Sequence, residues 1–110
     1  MDWMKFMSEA MKNIVETTLD DMKGVDIKVF DVSKIVKYAD WVVIVTGTSS
    51  THLKAMAGKL EVAMKGQGHL AIGTEGVDSG NWVLQDYGDV VVHIMTKDAR
   101  EFYQLEKLFI

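Results

Sequence analysis

A continuous apolar run, Trp41-Val42-Val43-Ile44-Val45, restricts the fold of this chain more than any other segment. The run is β-branched and aromatic without polar alternation, which is typical of a central strand buried on both faces of a helix-covered sheet. Glycine and hydroxyl residues follow at once, in the order Thr46-Gly47-Thr48-Ser49-Ser50. They predict a tight turn and a capped helix beginning near Ser49 or Ser50. Ligands of open α/β sheets most often bind at such a corner between a strand and a helix N-terminus.

Apolar periodicity predicts amphipathic helices before and after this strand. From Trp3 to Met22 apolar residues recur at intervals of three and four, the period of one helix face. Asp2 is the predicted N-cap of this helix, and Gly24 is the predicted left-handed residue that closes it. A similar stripe covers residues 49 to 65 and predicts the helix that follows the turn.

The other predicted strands are short and are separated by turn residues. They cover residues 25–32, 69–72, 81–86 and 90–95, whereas the glycine-rich segment 73–80 is predicted to be a loop. The order strand, helix, strand around the second helix predicts a right-handed crossover between parallel strands. The last two strands predict an antiparallel hairpin.

A final helix is predicted after the hairpin, with Thr96 or Asp98 as its cap. Its predicted apolar face carries Phe102, Leu105, Leu108 and Phe109, with Arg100 and Tyr103 off that face. Together these elements predict an α/β fold. We expect residues 1–110 to form a single domain with a mixed, about five-stranded sheet flanked by helices.

Composition excludes several classes of protein. There is no cysteine, so disulfide and thiolate chemistry are excluded, and a cytoplasmic protein is favoured. No apolar run approaches the roughly 20 residues of a membrane-spanning helix, and the N-terminus does not have the pattern of a secretory signal. We therefore expect no membrane association.

Charge is distributed unevenly along the chain. The net charge is −4, and no lysine or arginine occurs between Gly66 and Thr96, where the acidic residues are Glu75, Asp78, Asp86 and Asp89. A surface without cations binds a phosphate backbone poorly, so we expect little or no direct nucleic-acid binding. Such a stretch suits a basic protein partner, although a solvated acidic face without any partner is an equally good interpretation.

The candidates for chemistry are few. The segment from Gly47 to Ser50 suits a phosphate and resembles the Gly-Ser corner of nucleotidyltransferases, but no carboxylate pair accompanies it to hold Mg²⁺. A helix that is simply well capped is the favoured interpretation, and a nucleotide-binding enzyme is the alternative. His52, His69 and His93 lack the close spacing of a metal site, and His93 is interpreted as a core residue. We therefore predict no catalytic site, metal or cofactor.

Several segments together resemble the ribosomal silencing factor family, also called Iojap-like proteins. The most specific of them is WVLQDYGDVVVH, residues 82–93, followed by REFYQLEKL, residues 100–108. Phe109 stands where the family usually has tryptophan. The other matching pieces, in the order of the family, are Asp26-Ile27, Asp31-Val32, Asp40, Thr46 to Ser50, Glu75-Gly76 and Gly80.

The resemblance implies a fold akin to nucleotidyltransferases without their catalytic carboxylates. It implies binding to the large ribosomal subunit through its ribosomal protein fourteen, which prevents the small subunit from joining and represses translation under nutrient limitation. Organelle relatives assist large-subunit assembly, which is a second possibility, and an exposed sheet edge is compatible with a homodimer. The residues that the resemblance offers for the partner interface are Trp82, Asp86, Gly88, Asp89, Arg100, Tyr103, Leu105, Glu106 and Leu108.

Overall fold

Three helices and five strands are arranged along residues 3–110, the part of the chain that the computed structural model describes. Asp2, the predicted first N-cap, lies outside this range. The predicted caps Ser49 and Thr96 are confirmed, since their hydroxyls accept hydrogen bonds from the backbone N–H groups of His52 and Ala99. The elements are α1 Trp3–Asp21, β1 Val25–Asp31, β2 Trp41–Gly47, α2 Ser50–Gly66, β3 Gly73–Glu75, β4 Trp82–Asp86, β5 Val90–Thr96, α3 Lys97–Tyr103 and a 3₁₀ turn Leu105–Leu108.

The strands form one mixed sheet in the order β1-β2-β5-β4-β3. Only β2 and β5 pair in parallel, and the neighbouring pairs are antiparallel. The predicted mixed five-stranded sheet and the hairpin of β4 and β5 are confirmed. β5 occupies the middle of the sheet, while β2 lies beside it and is buried on both faces, because Val42 to Val45 have no exposed surface.

The helices are divided unequally between the two faces of the sheet. α1 and α2 pack on one face, where Leu19, Leu60 and Met64 join Val43, Val45 and Ile94 in a large core. The short α3 and the residues after it pack on the other face over a smaller core that includes Ile44 and Met95. None of the helices in residues 3–110 has the length and hydropathy that a bilayer-spanning helix needs.

The strand predicted at 69–72 is wrong by a few residues. The observed strand β3 is Gly73–Glu75, inside the segment predicted as a loop, and it pairs with β4 from Gly73 opposite Asp86 to Glu75 opposite Leu84. Pairing with β4 therefore decides the strand, because the local sequence of Gly73–Glu75 has little strand preference. The connection through α2 leads to β3 at the sheet edge, past β5 and β4.

The C-terminal helix is shorter than predicted and presents different faces. It ends at Tyr103 because Gln104 adopts a left-handed conformation with φ 49°, and a 3₁₀ turn follows. Phe102, predicted to be buried, is 80% exposed, whereas Arg100 is only 8% exposed. Arg100 and Tyr103 were predicted to lie off the apolar face, but Arg100 is buried, and Leu105, Leu108 and Phe109 follow the end of the helix.

The end of α1 also differs from prediction. Lys23, with φ 61°, takes the left-handed position that was predicted for Gly24. Gly24 is instead constrained by packing, because a Cβ atom there would lie 2.6 Å from Cγ2 of Val45.

Candidate functional site

Part of one sheet face is not covered by any helix of the described chain. The C-terminal residues bury Ile44 and Met95 on this face, but Trp82, Leu84 and His93 beyond them remain partly exposed. Tyr103, at the end of α3, packs against Trp82 with 4.7 Å between ring centroids. We call the surface of Trp82, Leu84, His93 and Tyr103 the open face. It brings together strands β4 and β5 and the end of α3.

Aromatic rings form a continuous row across the open face. Phe102 meets Tyr103 edge-on at 5.0 Å, Tyr103 lies 4.7 Å from Trp82, and Trp82 lies 5.9 Å from His93, all measured between ring centroids. Tyr103 is 52% exposed. Rigid aromatic side chains held in contact and partly exposed are the groups that dominate protein interfaces.

A hydrogen bond fixes the orientation of Trp82. Its indole Nε1–H donates to Nδ1 of His93 at 3.1 Å, from one strand of the hairpin to the next. Burial lowers the pKa of His93 to about 4, so the imidazole is neutral near pH 7 and Nδ1 is available as an acceptor. The predicted core role of His93 is therefore correct in part, because the ring is hydrogen-bonded but not fully buried.

Acidic residues lie along the β3–β4 side of the open face and in the hairpin turn. Glu75 lines a groove of about 400 Å³ together with Trp82 and Leu84, and Asp78 is exposed in the loop that closes this groove. Asp86 projects from β4 on the same face as Trp82 and Leu84, since alternate strand residues share a face. Asp89 is exposed in the turn that follows. The site therefore has an apolar centre and an acidic rim.

The hairpin turn gives Asp86 and Gly88 structural roles as well. Oδ1 of Asp86 accepts a hydrogen bond from the backbone N–H of Gly88 at 2.8 Å. Gly88 has φ 86°, a conformation that favours glycine. The backbone carbonyl of Asp89 accepts from the N–H groups of Asp40 and Trp41, so the turn is joined to β2 while the Asp89 side chain stays exposed.

Arg100 and Glu106 form a buried connection beneath the C-terminal segment. The Arg100 guanidinium donates to Glu106, to the carbonyl of Asp26 at 2.7 Å and to Oγ1 of Thr46 at 2.9 Å. Burial is the largest single influence on Glu106 and raises its pKa, but the hydrogen bonds that the carboxylate accepts and the charge of Arg100 together outweigh burial, so the pKa lies below its ordinary value. These two predicted interface residues therefore hold the C-terminal segment on the sheet.

The predicted leucines lie on either side of this segment. Leu105 packs partly against the smaller core, and Leu108 is 67% exposed. Phe109 contacts Phe30 at 5.6 Å between ring centroids, so the aromatic residue at this position belongs to the fold. Among the predicted residues, Trp82 and Tyr103 share the open face, Leu108 is exposed near the C-terminus, and Arg100 is inside.

The Gly47 corner is occupied by its own side chains. The Ser49 hydroxyl caps α2, and Nδ1 of His52 accepts from the backbone N–H of Thr48 at 2.9 Å. A Cβ at position 47 would lie 2.4 Å from a methyl group of Leu53, so a larger residue there would force the buried Leu53 side chain to move. No group of three potential metal-ligating side chains is found among residues 3–110.

Three residues of this surface were not selected from the sequence. Leu84 and His93 share the open face with Trp82, and Phe102 extends the aromatic row. Period-two alternation along β4 places Leu84 beside Trp82, and a histidine within an otherwise apolar strand marks a special position. The spacing of Phe102 with Leu105, Leu108 and Phe109 predicted a buried position, so the sequence pattern did not indicate its exposure.

Comparison with known proteins identifies the family. A profile described as "Ribosomal silencing factor during starvation" matches residues 6–110. The chain is 44% identical to ribosomal silencing factor RsfS of Haemophilus influenzae, over 91% of this chain and 98% of that protein. A mouse protein named "Mitochondrial assembly of ribosomal large subunit protein 1" is 38% identical over 76% of this chain and 38% of its own length.

A solved structure agrees with these sequence matches. The crystal structure of a Chromobacterium violaceum protein superimposes with a TM-score of 0.90 at 38% identity, covering 92% of this chain and 84% of that one. Fold and sequence thus agree along nearly the whole of the described chain. The resemblance inferred from residues 82–93 and 100–108 is confirmed: this chain belongs to the ribosomal silencing factor family.

Proposed function

We propose that this protein binds the large ribosomal subunit through ribosomal protein fourteen of that subunit and blocks joining of the small subunit. Translation is then repressed when nutrients are limiting. The factor works by occupying a surface, so it requires no catalytic group. The proposal places the protein in the cytoplasm, where the two subunits of a bacterial ribosome meet.

The observation that carries the proposal is the open face with its acidic rim. Trp82 and Tyr103 provide a rigid apolar centre, whereas Glu75, Asp78 and Asp89 are exposed around or beyond it. An apolar centre desolvates on binding and supplies most of the affinity. Carboxylates around it attract a basic protein and repel the phosphates of exposed RNA. This combination supports a ribosomal protein as the direct partner.

The test is co-sedimentation with purified ribosomal subunits on sucrose gradients. We expect the protein to migrate with the large subunit and not with the small one. Adding it before the subunits are mixed should decrease the fraction of complete ribosomes, whereas adding it to preformed ribosomes should have less effect because the surface is already covered. Equal binding to both subunits, or to neither, contradicts the proposal.

Assembly of the large subunit is a second candidate function. It is supported by the name of the mouse relative, which refers to mitochondrial large-subunit assembly. Depletion of the protein distinguishes the two roles. A silencing factor leaves large subunits mature and increases their joining during starvation, whereas loss of an assembly factor causes incomplete large subunits to accumulate during growth.

A nucleotide-dependent enzyme at the Gly47 corner is the remaining alternative. We expect no hydrolysis or transfer with ATP, GTP or CTP and Mg²⁺, because hydrogen bonds within the corner already use Ser49 and His52. Turnover that disappears in Ser49→Ala or Ser50→Ala would restore this alternative.

A homodimer also stays a prediction. Strand β3 lies at one edge of the sheet and is exposed, but it is three residues long and offers only a short edge for pairing with a second copy. Light scattering over a range of protein concentrations tests it.

A further inference from the structure

His93 interrupts the apolar sequence of β5 at the point where that strand meets the open face. Its neighbours across the sheet are Leu84 on β4 and Ile44 on β2, both apolar. A polar side chain among such neighbours lowers the stability of the fold unless its polar atoms form hydrogen bonds within the protein or to a partner. One ring nitrogen is accounted for, because Nδ1 accepts the hydrogen bond from Trp82.

The other ring nitrogen has no partner within the described chain. Since Nδ1 of the neutral imidazole is an acceptor, its proton must be on Nε2, which is therefore a donor. No side chain or carbonyl in residues 3–110 accepts a hydrogen bond from Nε2. Within the same residues, every side-chain nitrogen or oxygen atom that is fully buried has a hydrogen-bond partner, so Nε2 is not one of the fully buried atoms. Nε2–H is consequently accessible from outside the fold.

The same hydrogen bond restricts what Trp82 can offer to a partner. Its indole N–H, the only polar group of that side chain, is already donated to His93. Trp82 thus presents apolar ring surface, and the adjacent N–H donor is the imidazole Nε2–H. A complementary surface needs an apolar side chain over Trp82 and a hydrogen-bond acceptor over His93.

We propose that His93 is a partner-binding residue whose Nε2–H donates a hydrogen bond to a backbone carbonyl of the protein docked on the open face. This inference rests on the proposed function, because it specifies the chemistry of that interface. The acidic rim selects among acceptors, since a carboxylate or phosphate would be repelled by Glu75 and Asp86 whereas a neutral carbonyl is not. His93 also positions Trp82, so both roles must be separated experimentally.

Two substitutions separate the donor from the acceptor. In His93→Asn the amide oxygen reaches the position of Nδ1 and can still accept from Trp82, but nothing reaches the position of Nε2. In His93→Gln the amide reaches the position of Nε2 and can donate there, but the acceptor for Trp82 is lost. His69→Asn is the matched control, because His69 lies in the loop after α2 and outside the open face.

Affinity for the large subunit and the Trp82 indole N–H resonance are measured for each variant, with Trp82→Phe used to assign that resonance. We expect His93→Asn to keep the resonance and to bind about tenfold more weakly, because the partner's carbonyl is left without its donor. His93→Gln should bind more tightly than His93→Asn despite a shifted resonance, and His69→Asn should match the wild type.

The outcomes are distinct from those that test the proposed function. If the wild-type protein binds the large subunit and folded His93→Asn binds equally well, the donor role is wrong. The same conclusion follows if His93→Gln, which supplies a donor at the position of Nε2, binds no more tightly than His93→Asn, because restoring the donor would then restore no affinity. If wild-type protein does not bind the large subunit, the proposed function itself fails, together with this inference.

Discussion

The two faces of the sheet use the same kinds of residue for different purposes. Trp41 lies at the helix-covered face, where its indole N–H donates to Ser8 and Lys5 and Lys12 lie over the ring. Trp82 lies at the open face, is held by His93 and Tyr103, and leaves part of its ring exposed. One tryptophan is thus enclosed by its own chain, and the other is oriented but not covered. The difference indicates that folding stability comes mainly from the helix-covered face.

The strongest test of this comparison is a cavity on the helix-covered face. Leu60 of α2 is fully buried in the larger core. Leu60→Ala should lower the free energy of unfolding by about 4 kcal/mol, because the side-chain contacts are lost and a cavity is left. Val62→Ala is the matched control, since Val62 is exposed on the same helix. Chemical denaturation measures both, and a loss below about 1 kcal/mol for Leu60→Ala would contradict the assignment of this face as the main core.

Lowering the pH should decrease the stability of the folded protein through His93 on the open face. Burial lowers the pKa of His93 from 6.5 to about 4, and its neighbours Leu84, Ile44 and Trp82 carry no charge. The unfolded chain binds the proton near pH 6.5, whereas the folded protein binds it only near pH 4. Stability should therefore decrease as the pH falls through this window, by about 3 kcal/mol for the one group, and the decrease should level off below pH 4.

Comparison with His93→Asn isolates this contribution from the carboxyl groups. The wild-type decrease between pH 6.5 and pH 4 should be largely absent in the variant, as measured by urea denaturation at each pH. Identical pH profiles for the two proteins would show that His93 is not protected from protonation in the folded state.

Replacing each tryptophan separately by alanine compares its contribution to binding with its contribution to stability. Trp82→Ala should weaken binding to the large subunit by at least about 2 kcal/mol, because a central aromatic contact is lost. Trp41→Ala should instead lower the melting temperature and leave the affinity of the folded fraction unchanged. Calorimetric melting and subunit co-sedimentation measure the two effects. Normal folding of Trp82→Ala with wild-type affinity would remove Trp82 from the interface.

The smallest expected effect concerns the acidic rim. Asp89→Lys should slow association with a basic partner and decrease its dependence on salt, with a cost below about 1 kcal/mol in affinity. Asp20→Lys makes the same charge change at an exposed position of α1 and serves as the control. Stopped-flow association at several salt concentrations separates them. If both variants slow association equally, net charge rather than the rim determines the rate.

The sequence was sufficient for the elements whose residues have a strong local preference. The β-branched run of β2 and the hydroxyl caps Ser49 and Thr96 led to correct predictions, because buried strands and helix N-termini place direct demands on residue type. The third strand was predicted a few residues too early, because Gly73–Glu75 becomes a strand only through pairing with β4. Such pairing depends on residues distant in the sequence and has no local pattern.

The candidate site was predicted less completely than the fold. Trp82 and Tyr103 were selected by resemblance, and the structure brings their rings together. Arg100 was selected with them, although it is inside and bonded to Thr46 and to the backbone of Asp26. Phe102 was placed inside by its spacing with Leu105, Leu108 and Phe109, but α3 ends at Tyr103 and those three residues do not belong to it. A left-handed residue at a glutamine is not indicated by its residue type.

The position of β5 has a consequence for the protein while it is being synthesised. β5 lies between β2 and β4 in the sheet, yet it follows both in the chain. When residues 41–47 leave the ribosome, the hydrogen-bonding edge that will receive β5 has no native strand to pair with until residues 90–96 have also been made. A nascent chain in that interval exposes an apolar strand edge, the kind of surface on which chains aggregate. The newly made protein therefore depends on rapid completion of its own middle strand.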